Sequence, residues 1–220
     1  MLCWSETSPR RRDWSMNRAD LVIAIKSYLN RPKLSAADVN TMIASCEGEL
    51  NRELRDHPRN ARRAEWTIPT HDDQGIELTE PTPIIPLPVD LASLQQVFTD
   101  TQVYRQYPAS TPPTQIPDGA FLERGDCIHV APTPTRGTTV YLDYIAFLRP
   151  LEAEADTNWV SMYYSDLYLY GALKEAATYL KQDQRLSLWQ GEFLRRLDGV
   201  RRQGWNQNVA ASPRVRARVG

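Results

Sequence analysis

Apolar positions near the start of the chain recur at helical spacing. Leu21, Ile25, Tyr28 and Leu29 fall three and four residues apart on one face, behind Asn17 with Asp20 at the third position, a near-relative of the capping box. Pro32 ends the run, and Ser35 with Asp38 opens a second helix. Its stripe is Val39, Met42, Ile43, Cys46, Leu50 and Leu54, and it stops before Pro58. The short link between the two predicts an αα-hairpin. On the second helix the opposite positions, Glu47, Glu49, Arg52, Glu53 and Arg55, read as a solvated charged face.

From residue 65 to 150 the helical period disappears, and short β-favouring runs take its place. These are Leu94 to Phe98, Gln102 to Tyr107, Ala120 to Leu122, Cys127 to Ala131 and Thr138 to Leu148. The last is the clearest. Val140, Leu142, Tyr144, Ala146 and Leu148 alternate with Tyr141, Asp143, Ile145 and Phe147, as a long antiparallel strand requires. Thr133 to Gly137 reads as a turn that pairs this strand with Cys127 to Ala131. The run Pro81 to Pro88, PTPIIPLP, is expected to be an extended loop, because proline cannot donate to a central ladder.

After Pro150 helical spacing returns in Leu167, Tyr170, Leu173, Ala177 and Leu180. A polar break at Lys181 to Gln184 follows, then Leu186, Trp189, Phe193, Leu197 and Val200, ending near Gly204. The expectation is an α+β chain, with N- and C-terminal helices packed as a helical bundle, an inserted antiparallel β domain and an extended C-terminal tail. Residues 1–16 would form a flexible arm, 17–57 and 158–204 the helical domain, 65–150 the β-rich domain, and 205–220 a C-terminal arm.

Composition narrows the function. Lys and Arg number 26 against 27 Asp and Glu in 220 residues, for a formal net charge of −1, so no surface-wide grip on nucleic acid is encoded. Cys3, Cys46 and Cys127 are scattered and unpaired in sequence, which suits free thiols in a reducing compartment. Arg10 to Arg12 are followed by no apolar stretch, so the start does not read as a secretory signal, and synthesis in the cytoplasm is the expectation. No apolar run approaches membrane-spanning length, and no membrane partner is expected. Phosphate-loop, dinucleotide, nucleophile-elbow and zinc-helix motifs are absent. His71, Asp72 and Asp73 have no third ligand at suitable spacing and read as a turn. Glu175 and Asp183 lie on different helices, with no cleft implied between them. No catalytic residue, cofactor site or metal site is expected.

The most distinctive stretch, Asn158 to Leu180, holds five tyrosines and a tryptophan. Tyr170 and Leu173 read as core. Tyr163, Tyr164 and Tyr168 could serve either the core or an interface between subunits, where aromatic residues concentrate binding energy. The final residues, PRVRARVG, alternate Arg214, Arg216 and Arg218 with small or apolar residues, a pattern that suits either a loose end or an extended strand added to a partner.

The strings Asn158-Trp159, Ser165-Asp166-Leu167-Tyr168-Leu169-Tyr170-Gly171-Ala172-Leu173, Glu175-Ala176-Ala177 and Tyr179-Leu180-Lys181 with Asp183 resemble a family of head-to-tail adaptor (connector) proteins of short-tailed bacteriophages. Leu50 to Arg55, and Ile128 to Pro134 before YLDYIAF, fit the same pattern. The likeness covers roughly Asn17 to Asp198; Ser165 stands where that family often has proline, and Gln182 where aspartate is common. The resemblance implies a virion protein of the neck, forming a homo-oligomeric ring, dodecameric in that family. The ring docks beneath the portal protein, joins the tail nozzle protein and lets genomic DNA pass without sequence-specific binding. It also implies that the C-terminal segment anchors the portal, which here points to Trp205, Val209, Pro213, Arg214, Val215, Arg216, Arg218 and Val219. Another neck or tail-completion protein, a small DNA-binding regulator and a hydrolase are the competing readings. The regulator fits poorly, because the second helix carries Asp38, Glu47, Glu49, Glu53 and Asp56 where basic recognition residues would be needed.

Overall fold

The computed structural model describes residues 15–71, 84–179 and 183–211, the side chains of 178–179, 183–184 and 206–211 excepted. The chain divides into two compact units. One comprises the chain up to Leu54 and from Arg149 onward; the other is Arg55–Leu148.

In the first unit the helices are α1 (Arg18–Leu29), α2 (Ala36–Glu53), α3 (Trp159–Tyr163), α4 (Ser165–Tyr179) and α5 (Asp183–Ala211). The caps form as the sequence suggests. Asn17 accepts from the Asp20 amide at 2.8 Å while Asp20 reaches back to the Asn17 amide, and Ser35 Oγ accepts from the Asp38 amide at 3.1 Å. Asn30 closes α1 in the left-handed region, φ 53°, a conformation asparagine tolerates better than most residues. The segment before α3 is tied by Asp156, which accepts from the amides of Glu152 and Ala153, and by the Asn158–Ser161 capping box. The Ala153 amide, foremost among its partners, holds the Asp156 carboxyl below the usual carboxylate range.

The expected bundle of N- and C-terminal helices is not what these helices make. Helices α1, α2 and α5 each bury one stripe: Leu21, Ile25 and Leu29; Val39, Met42, Ile43, Cys46 and Leu50; Trp189, Phe193, Leu197 and Val200. Helix α4 is buried nearly all round, through Leu167, Tyr168, Leu169, Ala172, Leu173, Ala176 and Ala177. A helix buried on nearly every side lies at the centre, and the principal packing of α1, α2, α3 and α5 is each against α4. The backbones of α1 and α2 come close only marginally, so the predicted αα-hairpin is two helices sharing a third as their partner. The tail is corrected too: residues 205–211 continue α5 as helix rather than leaving it as an extended arm.

The second unit is a seven-stranded sheet: β1 (Ala61–Thr67), β2 (Ile84–Pro86), β3 (Leu91–Phe98), β4 (Val103–Tyr107), β5 (Ala120–Arg124), β6 (Cys127–Ala131) and β7 (Thr139–Ala146), in the order β1-β7-β3-β4-β5-β6-β2. All seven strands feed one apolar cluster. It contains Ile85 of β2, Val97 of β3, Tyr104 of β4, Phe121 of β5, Ile128 and Val130 of β6, and Val140 and Leu142 of β7, with Ala64 and Trp66 of β1 packed against it. A sheet whose every strand faces a common core has to curl, and the result is nearly closed and barrel-like.

Two sequence expectations fail here. The sheet is mixed, not antiparallel, because β4 and β5 run parallel, Arg105 opposite Ala120 and Tyr107 opposite Leu122. The chain that joins them passes through a 3-10 turn at Pro113–Gln115. Nor do β6 and β7 form a hairpin. Strand β7 lies between β1 and β3, while β6 lies between β5 and β2. Strand β7 has eight residues, and β1 and β3, with seven and eight, cover its length where the five of β6 could not. The expected turn is present, the Thr138 amide donating to Thr135 O at 3.1 Å with Gly137 at φ 76°, but it does not pair β6 with β7; its end is held by Ile68, whose amide donates to Thr138 O at 2.9 Å and whose carbonyl accepts from Gly137 at 3.0 Å. The proline run contributes Ile84–Pro86 as a three-residue strand at the end of the sheet order, the place where missing donors are tolerated.

Candidate interaction surfaces

Glycine at position 171 lets three helices meet. A Cβ there would collide with Cys46 Sγ of α2 and lie 3.0 Å from the Phe193 ring of α5. Around this contact the charged face of α2, expected to be solvated, turns out to fasten the first unit. Glu47 accepts from the Leu151 amide at 2.8 Å and from the Tyr168 hydroxyl. Glu49 pairs with Lys174, which also lies 3.1 Å from Glu175 and 4.9 Å over the Phe193 ring. Glu53 pairs with Arg201 of α5.

Electrostatics follow from this packing. Burial, reinforced by the Glu47 carboxylate, pushes the Tyr168 phenol well above its ordinary range, so it is a fixed donor. Burial, with Glu49 next in importance, also raises the Cys46 thiol, which stays protonated and inert. For Lys174 burial pulls the pKa down, but hydrogen bonds to Glu49 and Glu175 override it, and the ammonium ends above its usual value.

The three tyrosines singled out by sequence part company. Tyr168 is completely buried and belongs to the core, which removes it from any interface. Tyr164 donates to Gln203 Oε1 at 2.6 Å and meets the Trp159 ring edge-on. Tyr163 is half exposed beside exposed Met162. Of the C-terminal residues, Trp205 stands on α5 with 70% of its surface exposed. Val209 lies in the same helix with its side chain outside the described residues, as are Pro213, Arg214, Val215, Arg216, Arg218 and Val219 altogether.

A cleft that the sequence did not reveal opens in the first unit. It is about 500 Å³, lined by Tyr28, Tyr170, Arg185, Leu188, Trp189 and Glu192. The Tyr28 and Tyr170 rings meet edge-on at 6.4 Å, and the Arg196 guanidinium stacks 4.2 Å over Tyr170. Leu188 is 62% exposed, and Ile23 of α1 is also exposed. Only the departure of Leu188 from the buried stripe of α5 could have signalled this cleft.

Chemistry finds little to work with. Among the described residues no three His, Cys, Asp or Glu side chains gather as metal ligands. Glu175 is engaged with Ser45 Oγ at 2.9 Å and with Lys174, and the Asp183 side chain lies outside the described residues. His71 bonds Thr70, His129 stands 4.0 Å from Cys127 Sγ, and His57 Nδ1 accepts from the Arg59 amide at 3.2 Å. Asp72 and Asp73 lie outside the described residues. No described helix is long and apolar enough to cross a membrane.

The family model described as SU10 adaptor protein matches residues 16–218. The chain belongs to that family. It is therefore a phage adaptor protein, a structural component of the virion that meets other head and tail proteins, and the adaptor family points away from an enzyme. No curated protein matches the chain.

Proposed function

We propose that this SU10-family adaptor joins the capsid to the tail of a short-tailed phage as a homo-oligomeric ring beneath the portal protein. The ring, dodecameric as the sequence resemblance implies, holds the tail nozzle protein on its far side, and the genome passes through its lumen. The chain is made in the host cytoplasm and acts in the virion neck. The observation that carries this reading is the family match over residues 16–218. Near-neutral charge also suits a lumen that must let DNA slide, since tight binding scales with the phosphates neutralised. The C-terminal residues Pro213, Arg214, Val215, Arg216, Arg218 and Val219 anchor the portal, with Trp205 and Val209 on the helix that leads to them. Tyr163 and Tyr164 lie toward a neighbouring subunit.

The test is the mass and negative-stain shape of the purified chain, alone and mixed with portal protein, for the full-length form and for one lacking residues 212–220. The full-length chain gives a ring on the portal, and the truncated form keeps its circular dichroism but does not dock. Normal docking of the truncated form removes the arm from the assignment, and absence of any ring with portal removes the assignment itself.

A further inference from the structure

We propose that neighbouring copies pack head to tail through α5, the ridge that carries Leu194 and Trp205 on one copy entering the Tyr28–Trp189 cleft of the next. The proposal rests on the ring reading above and adds the surface that closes it.

Helical geometry gives the argument. Leu194 and Trp205 are eleven residues apart, three turns, so they share one ridge to within about 20°. Both are exposed, Leu194 at 51% and Trp205 at 70%. Leu188 and Trp189, which line the cleft, lie on the other flank: Trp205 is between about 100° and 160° around the axis from them, and roughly 24 Å along it. A straight helix cannot fold its own Trp205 into a cleft that its Trp189 helps to line. The two features therefore leave each other unsatisfied within one chain.

They are chemically suited to one another across chains. Tyr28, Tyr170, Leu188 and Trp189 give the cleft an apolar wall, and Arg185 and Glu192 sit at it. An indole entering there finds aromatic edges, a guanidinium to stack on and a carboxylate for its Nε1–H. The cleft, at about 500 Å³, falls in the range that holds a bulky side chain. On the ridge Asp198, between Leu194 and Trp205, pairs with Arg202 and offers a carboxylate toward Arg185 of a neighbour. A protein with knob and hole on different faces associates heterologously, and repeated application of that contact closes a ring when the rotation permits. A two-fold dimer would need the same patch on both partners.

The experiment uses the full chain with Cys3→Ser and Cys127→Ser, leaving buried Cys46, and adds either Leu188→Cys or Trp205→Cys. Each variant alone, and the two mixed, are assembled with portal protein and treated with a short bifunctional thiol reagent. Dimers linked through positions 188 and 205 in the mixture, and absent from either variant alone, are expected. Links within a single variant overturn the head-to-tail geometry. Assemblies of full ring mass without 188–205 links overturn this interface while leaving the ring reading standing, and failure of the chain with its native Leu188 and Trp205 to form any ring with portal removes both. As a second measurement, Trp205→Glu and Leu188→Glu, each checked for native circular dichroism, are expected to lower ring yield at least tenfold; unchanged yield from both counts against the proposal.

Discussion

Replacing Gly171 by alanine sets two effects of opposite sign against each other. Glycine in a helix interior costs about 1 kcal/mol relative to alanine, so at an open site the change stabilises. At position 171 the new methyl collides with Cys46 Sγ and presses on the Phe193 ring, and both residues are completely buried. Overpacking of this kind costs about 1–3 kcal/mol, and neither the short Cys46 side chain nor a ring held between helices has room to yield. The collision wins, for a net loss of up to about 2 kcal/mol. In a chain of this size each kcal/mol moves the melting midpoint by about 2–4 °C. The assay is urea denaturation followed by circular dichroism, with Gly199→Ala as control, since nothing lies within 4 Å of a Cβ at Gly199. The control is expected to gain up to about 1 kcal/mol. The Cys46→Ala, Gly171→Ala double variant should lose less than the sum of the single variants, because removing the sulfur removes most of the clash. If Gly171→Ala stabilises as the control does, or if the two losses simply add, the close approach of α2, α4 and α5 is wrong.

Three further outcomes are expected. Tyr168→Phe removes the donor to Glu47 and should cost about 1–3 kcal/mol in urea unfolding with unchanged slope; because the folded phenol resists ionisation, wild-type stability falls as pH rises above about 10, and the phenylalanine variant shows less of that fall. Lys174→Met strands Glu49 and Glu175 together and should cost about 2 kcal/mol, measured the same way, with Glu49→Gln recovering part of it. Burial, then Arg59, lowers the folded-state pKa of His57 below 6.5, so the unfolded chain binds its proton first. Stability of Arg55–Leu148 therefore falls as pH drops from about 6.5 and levels off below the folded pKa, a slope that His57→Gln should remove in thermal melts between pH 7.5 and 5.

Helix positions and caps were legible because they are local: Asn17, Ser35 and the stripes they precede need nothing beyond a few residues of context. The long strand was legible for the same reason, since alternation from Val140 to Leu148 is written in the chain itself. Strand β1 was not. Its sequence, ARRAEWT, packs only Ala64 and Trp66 against the core, and on the opposite face Arg63 pairs with Asp143 at 2.7 Å and lies 5.0 Å over Phe98. Pairing partners were illegible as well. Nothing in Cys127 to Ala131 says that it prefers β5 and β2 to β7, because register and neighbour are set by lengths and faces of strands far away in sequence. At the candidate surfaces, residue type singles out Tyr163, Tyr164 and Tyr168 but leaves core and interface open for each, and only burial places Tyr168 in the core; the cleft was illegible for the same reason, since both depend on which way a helix turns its residues.

The same point explains the charged face of α2. Spacing alone marks Glu47, Glu49 and Glu53 as outward, since they sit off the stripe of Val39, Met42, Ile43, Cys46 and Leu50. But α4 is buried nearly all round and draws helices onto several of its sides, so residues flanking the stripe of α2 are brought against α4 and α5 and must be satisfied there. Tyr168, Lys174 and Arg201 satisfy them. Packing around a central helix thus converts surface charges into internal fastenings. Leu188, Leu194 and Trp205 show the other side of that arrangement: a helix that buries only one stripe against α4 leaves its remaining apolar residues in solvent. Scattered singly, such residues are ordinary on a soluble protein and acquire a role only where a partner covers them. In the head-to-tail contact proposed above, they become the surface by which one copy meets the next.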